Sequence, residues 1–193
     1  MTYTKCSNAE APIMSVTIRK RAPTAKTATA AAAAPLFTQA TKTAVSRTPR
    51  TVRDFVRIYE AGPMERIELI KGGIAADGLI DLASSLHTTK DQLFKRLGLP
   101  RATVDRKARN KQNLSQEQSE RVVGLMKLVG QVRKIVEQSG DPTNFDAAQW
   151  AGQWLERPNN ALGGIRPAEL MDTVEGQEVI SGLLAKMQSG AYA

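Results

Sequence analysis

One stretch near the C-terminal end limits the fold more than any other: Trp150-Ala151-Gly152-Gln153-Trp154-Leu155-Glu156-Arg157-Pro158-Asn159-Asn160-Ala161-Leu162-Gly163-Gly164-Ile165-Arg166-Pro167. It holds both tryptophans of the chain. Ala147, Trp150, Ala151, Trp154 and Leu155 recur at helical spacing and fall on one stripe of a helix. Arg157-Pro158 stops that helix, because the residue before a proline is pushed out of the α region. Asn159-Asn160 and Gly163-Gly164 take positive φ cheaply, which predicts a compact turn. Pro167 suits the first turn of the next segment. The plainest reading is a helical hairpin whose tryptophans fill a small core; the sequence on either side adds a functional one.

Helical punctuation recurs upstream. Phe55, Val56, Ile58 and Tyr59 predict a short helix, and Met64, Ile67 and Ile70 predict another that ends at Gly72-Gly73. Those glycines are not a phosphate loop, since no Gly-Lys-Ser/Thr follows. Asp77 is expected to cap a helix carrying Leu79, Leu82, Ala83 and Leu86. Thr89-Lys90-Asp91-Gln92 and Ser115-Gln116-Glu117-Gln118 both have the hydroxyl-to-amide spacing of a capping box. The second opens a long helix with Val122, Leu125, Met126, Val129, Val132 and Val136, terminated by Gly140-Asp141-Pro142. That helix is expected to connect the two ends of the chain and to offer a dimer seam. Thr173 caps a last helix whose stripe is Gly176, Val179, Ile180, Leu183, Leu184 and Met187, with Gly176 expected to let it approach the tryptophan helix.

Between the two capping boxes lies the segment with the clearest chemistry. Leu93, Phe94 and Leu97 make one short amphipathic helix that ends at Gly98, and Pro100 begins the next, Arg101 to Asn110. Two short helices joined by a glycine-containing turn form a helix-turn-helix pattern. Val104 and Ala108 must face inward, which turns Ala102, Arg106 and Arg109 outward with Thr103 on the flank. From Lys90 to Lys111 there are eight basic and two acidic residues. Such a face suits a major groove: Arg101, Arg106 and Arg109 can reach guanine edges, Ala102 and Thr103 can touch a thymine methyl, and Lys95, Lys107 and Lys111 can neutralise phosphates. A solvated basic helix in an ordinary bundle is the competing reading.

Charge is unevenly spread. Residues 1–60 carry net +7, residues 61–140 net +5 and residues 141–193 net −4. That polarity points to a basic end for a polyanion and an acidic end for something else. Residues 1–50 form a basic arm rich in Ala, Thr and Pro that has too few large apolar residues to offset its ordering entropy, so disorder is expected there. Arg19, Lys20, Arg21 and Lys26 could touch DNA phosphates, although a solvated tail is the default. An acid-poor arm of this kind also has the look of an organelle transit peptide, which Glu10 argues against, and Met14 is a second possible start.

The segment from about residue 62 to residue 193 resembles the Xre/MbcA/ParS group of type II antitoxins. The matching pieces are Trp154-Leu155, Pro158-Asn159, Leu162-Gly163-Gly164, Arg166-Pro167, Leu170-Met171-Asp172-Thr173 with Gly176, then Val179, Leu183 and Gly190-Ala191-Tyr192. Leu97-Gly98-Leu99-Pro100 and Thr103 with Arg106-Lys107 match the group's Xre-like helix-turn-helix less specifically. The resemblance implies an antitoxin that neutralises a RES-type toxin, one that consumes NAD or ADP-ribosylates a target. It also implies repression of its own operon through double-stranded operator DNA, bound as a homodimer on pseudo-palindromic half-sites. Toxin contact would fall to Trp154, Asn159, Asn160, Leu162, Gly163 and Gly164. Ser189, Gly190, Ala191 and Tyr192 would plug the toxin's active-site cleft. The acidic C-terminal third agrees, because a pocket for a phosphate-bearing dinucleotide should be basic.

The expected architecture is all-α: a disordered arm over 1–50, an Xre-like helix-turn-helix domain with its connector helix over 51–138, and a toxin-binding domain over 139–193. A single histidine, His87, sits in a loop with no nucleophile or carboxylate set around it, and Cys6 has no second thiol for metal or disulfide. Asp141 with Asp146, and Glu175 with Glu178, read as helix N-terminal acids. No catalytic set, cofactor site or metal site is expected, so the chain is read as a non-enzyme. With one cysteine and no run of eighteen apolar residues, a cytoplasmic protein with no membrane partner is expected. Two alternatives stand beside the antitoxin: a stand-alone dimeric helix-turn-helix regulator whose C-terminal domain only dimerises, and an all-α scaffold without DNA affinity.

Overall fold

The computed structural model describes residues 52–190 of the 193-residue chain, with side chains from residue 54. The expectations for the arm, Ala191 and Tyr192 lie outside the described residues. Within them are eight α-helices and no strand: α1 (Val52–Glu60), α2 (Pro63–Gly72), α3 (Leu79–Ser85), α4 (Lys90–Arg96), α5 (Arg101–Arg109), α6 (Gln116–Ser139), α7 (Ala147–Trp154) and α8 (Val174–Gln188). Short 3-10 turns at Ala76–Gly78, Asn160–Leu162 and Pro167–Leu170 join some of them. The expected all-α fold is what forms.

Helix α6 is the central element. It starts at a closed capping box, in which Ser115 accepts from the Gln118 amide and the Gln118 side chain accepts from the Ser115 amide. Its 24 residues bury Val122, Val123, Leu125, Met126, Leu128, Val129 and Val132. These point to more than one side of the helix, because α1, α2, α7 and α8 all pack on it. The dimer seam expected along α6 is therefore spent within the chain. One apolar cluster runs from Phe55 on α1 to Leu184 on α8 without a break at residue 139.

The local expectations divide by how much they depended on packing. Thr173 caps α8 as expected, accepting from the Gly176 amide. Asp146 caps α7, accepting from the amides of Ala148 and Gln149. Asp77, by contrast, caps nothing: it lies inside the 3-10 turn Ala76–Gly78, and Gly78 precedes α3 without a side-chain cap. Met64 and Ile67 are not core, since α2 leans on the body through Leu69 and Ile70 and leaves Met64 69% exposed. On α8, Val179 lies 100° from Ile180 around the helix and is 53% exposed, while Met187 sits in the last turn, where it too is exposed.

Helix α7 carries the tryptophans, but the small residues do the packing. Ala147, Ala148, Ala151, Gly152 and Leu155 are buried, whereas Trp150 and Trp154 are half-buried at the edge of the core. Gly152 sits so near the end of α3 that a Cβ there would lie 2.2 Å from the Leu86 carbonyl oxygen. Gly176 meets the Leu170 carbonyl in the same way, so its partner is the preceding 3-10 turn and not the tryptophan helix. Because backbone cannot yield as a side chain tip can, Gly152→Ala should force α7 away from α3. We expect a loss of about 1–3 kcal/mol in a denaturant titration; an unchanged midpoint would show that the contact has slack.

Candidate functional site

The basic surface is built on α4, the turn after it, and α5. Thr89 accepts from the Gln92 amide and the Gln92 side chain accepts from the Thr89 amide, so α4 begins where the sequence pattern placed it. At its other end Gly98 takes φ +58, and the amides of Gly98 and Leu99 donate to the carbonyls of Lys95 and Phe94. This is a Schellman ending, which turns the chain sharply and buries Leu99. Residues 97–100 then deliver the chain to α5. Val104 is fully buried and Ala108 partly so, and Ala102, Arg106 and Arg109 face solvent with Thr103 half-exposed between.

The cations on this surface are not equally available. Arg101 is exposed but pairs with Asp91 at 2.9 Å and Asp105 at 3.7 Å. Lys90 reaches Asp105 at 2.7 Å. The hydrogen bond from Lys90, aided by the charges of Lys90, Arg101 and Arg109, holds the Asp105 carboxyl below its ordinary range. Lys107 is half-buried and donates to the Gln118 side chain at 3.3 Å, leaning on the start of α6. Lys95 and Lys111 are exposed. Lys111 has φ +51, a left-handed conformation that costs a residue with a Cβ. It follows α5 as the glycine of a Schellman ending would: the amides of Lys111 and Gln112 donate to the carbonyls of Ala108 and Lys107.

The second surface surrounds the tryptophan helix. Trp150 and Trp154 stack at 5.7 Å with 12° between their planes, and Phe145 lies 6.3 Å from Trp150. After α7 the chain closes a tight loop: the Asn159 amide donates to the Ile165 carbonyl, the Gly164 amide donates to the Asn159 carbonyl, and the Asn159 side chain accepts from the Ala161 amide. The positive φ expected of this turn is taken by Gly163 and Gly164, while Asn159 is extended. Asn160, Gly163 and Gly164 are exposed and Leu162 half-exposed, so the loop presents its tip outward. Ser189 and Gly190 extend α8 as an exposed end. They are not part of the loop surface by any contact observed here.

Several charged residues that sequence reasoning passed over tie the two surfaces together. Arg96, in the last turn of α4, is 7% exposed and donates from Nε to Glu156, just past α7, at 2.7 Å. Arg166 approaches the other Glu156 oxygen at 3.6 Å and binds Glu169 at 2.8 Å. Arg121 of α6 donates to the carbonyls of Leu97 and Gly98, and Asp172 packs beside it where a Cβ on Gly98 would lie. Partners 60 residues apart leave no local signal; the only hint available was an arginine on the apolar side of α4, next to Leu93 and Leu97. Among the described residues no group of His, Cys, Asp and Glu could hold a metal ion.

Known proteins fall on the same two regions. Residues 65–127 match the antitoxin Xre-like helix-turn-helix domain, and residues 143–190 match the antitoxin Xre/MbcA/ParS C-terminal toxin-binding domain. A protein of Sphingobium sp. (strain YBL2) named Prs ADP-ribosylating antitoxin is 50% identical over 136 residues, covering 70% of this chain and 86% of the relative. The chain belongs to the Xre/MbcA/ParS antitoxin family. The antitoxin's groove-facing candidates, Arg101 to Lys111, all lie inside the first match, and Trp154 to Gly190 inside the second. No helix among its described residues is long and apolar enough to cross a membrane.

Two outcomes follow from this geometry. Lys111→Gly should relieve the left-handed strain and raise stability by about 1 kcal/mol, yet lower the slope of log K against log salt for DNA by about 1. A variant that is stabler and binds DNA with an unchanged slope would remove Lys111 from the interface. Asp105 contributes stability above its unfolded pKa and loses it as pH falls through the lower folded value. Acid unfolding of the wild-type antitoxin should therefore steepen below about pH 4 relative to Asp105→Asn; parallel curves would contradict the pairing.

Proposed function

We propose that this antitoxin neutralises a RES-type toxin and represses its own operon, using two surfaces of one packed body. Residues 51–138 read the operator and residues 139–193 hold the toxin. The observation that supports the DNA half is the outward face of α5, where Ala102, Arg106 and Arg109 stand clear while Val104 anchors the helix. Small side chains near the start of such a helix let it enter a major groove, and the arginines beyond them read base edges or phosphates. Arg101 contributes once DNA draws it from Asp91 and Asp105.

The relative's name favours one branch of RES chemistry: a toxin that ADP-ribosylates a protein target, Prs in the relative's case. The loop Asn159 to Gly164 and the edge of Trp154 form the seat, and the segment Ser189, Gly190, Ala191, Tyr192 reaches into the toxin's active-site cleft. Two copies of the chain bind two operator half-sites, with a contact other than α6.

Paired variants test this division. Arg106→Ala with Arg109→Ala should abolish binding to a duplex carrying the operon's own promoter while toxin neutralisation in co-expressing cells survives. Deletion of Ser189 to Ala193 should do the reverse. Loss of both activities in either variant would contradict the separation of surfaces, and full neutralisation by the truncated chain would rule out the plug.

A further inference from the structure

Four charged side chains meet near the first turns of α4 and α5. Arg101 gives Nη1 to Asp91 at 2.9 Å and Nε to Asp105 at 3.7 Å, and Lys90 holds the other Asp105 oxygen at 2.7 Å. Two cations face two carboxylates, so the group carries no net charge. The Lys90 hydrogen bond is the chief reason the Asp105 carboxyl lies below its ordinary range, which keeps the cancellation in force at neutral pH. Farther along α5 the picture changes. Arg106 and Arg109 are exposed and form no salt bridge among the described residues, and Lys111 is exposed beyond them. Helix α5 therefore has an electrically neutral front and a cationic rear.

Those two ends answer to different features of a duplex. Attraction to phosphates follows net charge and counterion release, to which a cancelled group adds nothing. Trading two carboxylates for one phosphate brings Arg101 no better anion. A guanine edge is different: its N7 and O6 accept both arms of a guanidinium at once, and such a contact outweighs an exposed ion pair. Arg101 is the first residue of α5, its side chain is 64% exposed, and the small Ala102 and Thr103 follow it. It stands at the end of the helix that reads base edges when such a helix enters a groove. We propose that Arg101 is the specificity-determining residue of α5, staying on Asp91 and Asp105 against any other duplex and moving into the groove only for a guanine of the operator. Arg106, Arg109 and Lys111 supply the attraction that is independent of sequence. Asp91 and Asp105 are positioning residues that act through Arg101, and neither touches DNA. This division rests on the reading that α5 enters the major groove.

The test titrates the full chain, over a salt series, with a duplex carrying the operon's own promoter and with a random duplex of equal length. Arg101→Ala with Asp91→Asn removes the pair without altering net charge. This double variant should bind the random duplex within about two-fold of the wild type and with the same salt slope. Its operator affinity should fall by about 5- to 150-fold per half-site. Single-base substitutions across the operator should reveal one guanine whose loss costs the wild type about that factor and the double variant nothing. Asp91→Asn alone loosens Arg101 and should steepen the random-duplex slope by about 0.9, as one more phosphate contact does. Equal weakening on both duplexes, with the slope flattened by about 0.9, would make Arg101 an ordinary phosphate contact and overturn the proposal. Operator affinity retained by the double variant, or an Asp91→Asn slope that does not move, would overturn it too. A wild-type chain that binds neither duplex would instead take down the parent reading, and the wild-type titration alone reveals that outcome.

Discussion

Helix α6 has almost no free side along its middle, and the rest of the molecule is arranged to use that fact. Seven apolar side chains between Val122 and Val132 are buried. At about 1.5–3 kcal/mol each, their gross burial is on the order of 10–20 kcal/mol, comparable to the whole net stability of an ordinary domain. No single neighbour supplies the cover. Helices α1 and α2 come from before the helix-turn-helix pair, α4 and α5, and α7 and α8 from after it. The basic α4–α5 surface and the surface around the tryptophan helix thus share one core.

The way α8 lies on α6 differs from the rest. Gln177 donates to the Arg121 and Met171 carbonyls and fills the space left by Gly124, and Lys127 pairs with Glu178. Farther along, Gln131 and Ser181 exchange hydrogen bonds, and Gln188 donates to Gln138. Ile180, Leu183 and Leu184 bury an apolar strip beside this polar row. Hydrogen bonds of this kind contribute modestly to stability but fix register, because leaving a buried partner unsatisfied is costly. The row sets which face of α8 remains outward, and Val174, Val179 and Met187 are left on it.

What the sequence disclosed followed the range of the interaction. Thr89 with Gln92, Ser115 with Gln118, and Thr173 satisfy amides within their own first turn, and each does so as its spacing implied. The Gly98 turn and the outward set on α5 were equally local, since Val104 alone fixes the rotation of a nine-residue helix. Asp77 failed because a 3-10 turn intervened before α3, a choice set by tertiary packing and not by the capping residue. Met64, Ile67 and Val179 failed for another reason: periodicity identifies a helix but cannot count how many neighbours will cover it. The Arg96–Glu156 pair and the hold of Arg121 on the Leu97 and Gly98 carbonyls were invisible, as these partners lie 23 to 60 residues apart. The antitoxin resemblance came from residue patterns near the tryptophans, while the ion pair between α4 and the end of α7 came only from the folded chain.

Both candidate surfaces stand or fall with α6. Amide hydrogen exchange across a denaturant series measures this directly, since it gives an opening free energy for each protected amide. Buried residues of α5, α6 and α8, such as Val104, Val129 and Ile180, should open in one cooperative event with free energies agreeing within about 1 kcal/mol. If α7 and α8 opened together at a much lower free energy, leaving α1 to α6 protected, the two surfaces would belong to separately folding units and the claim would be wrong.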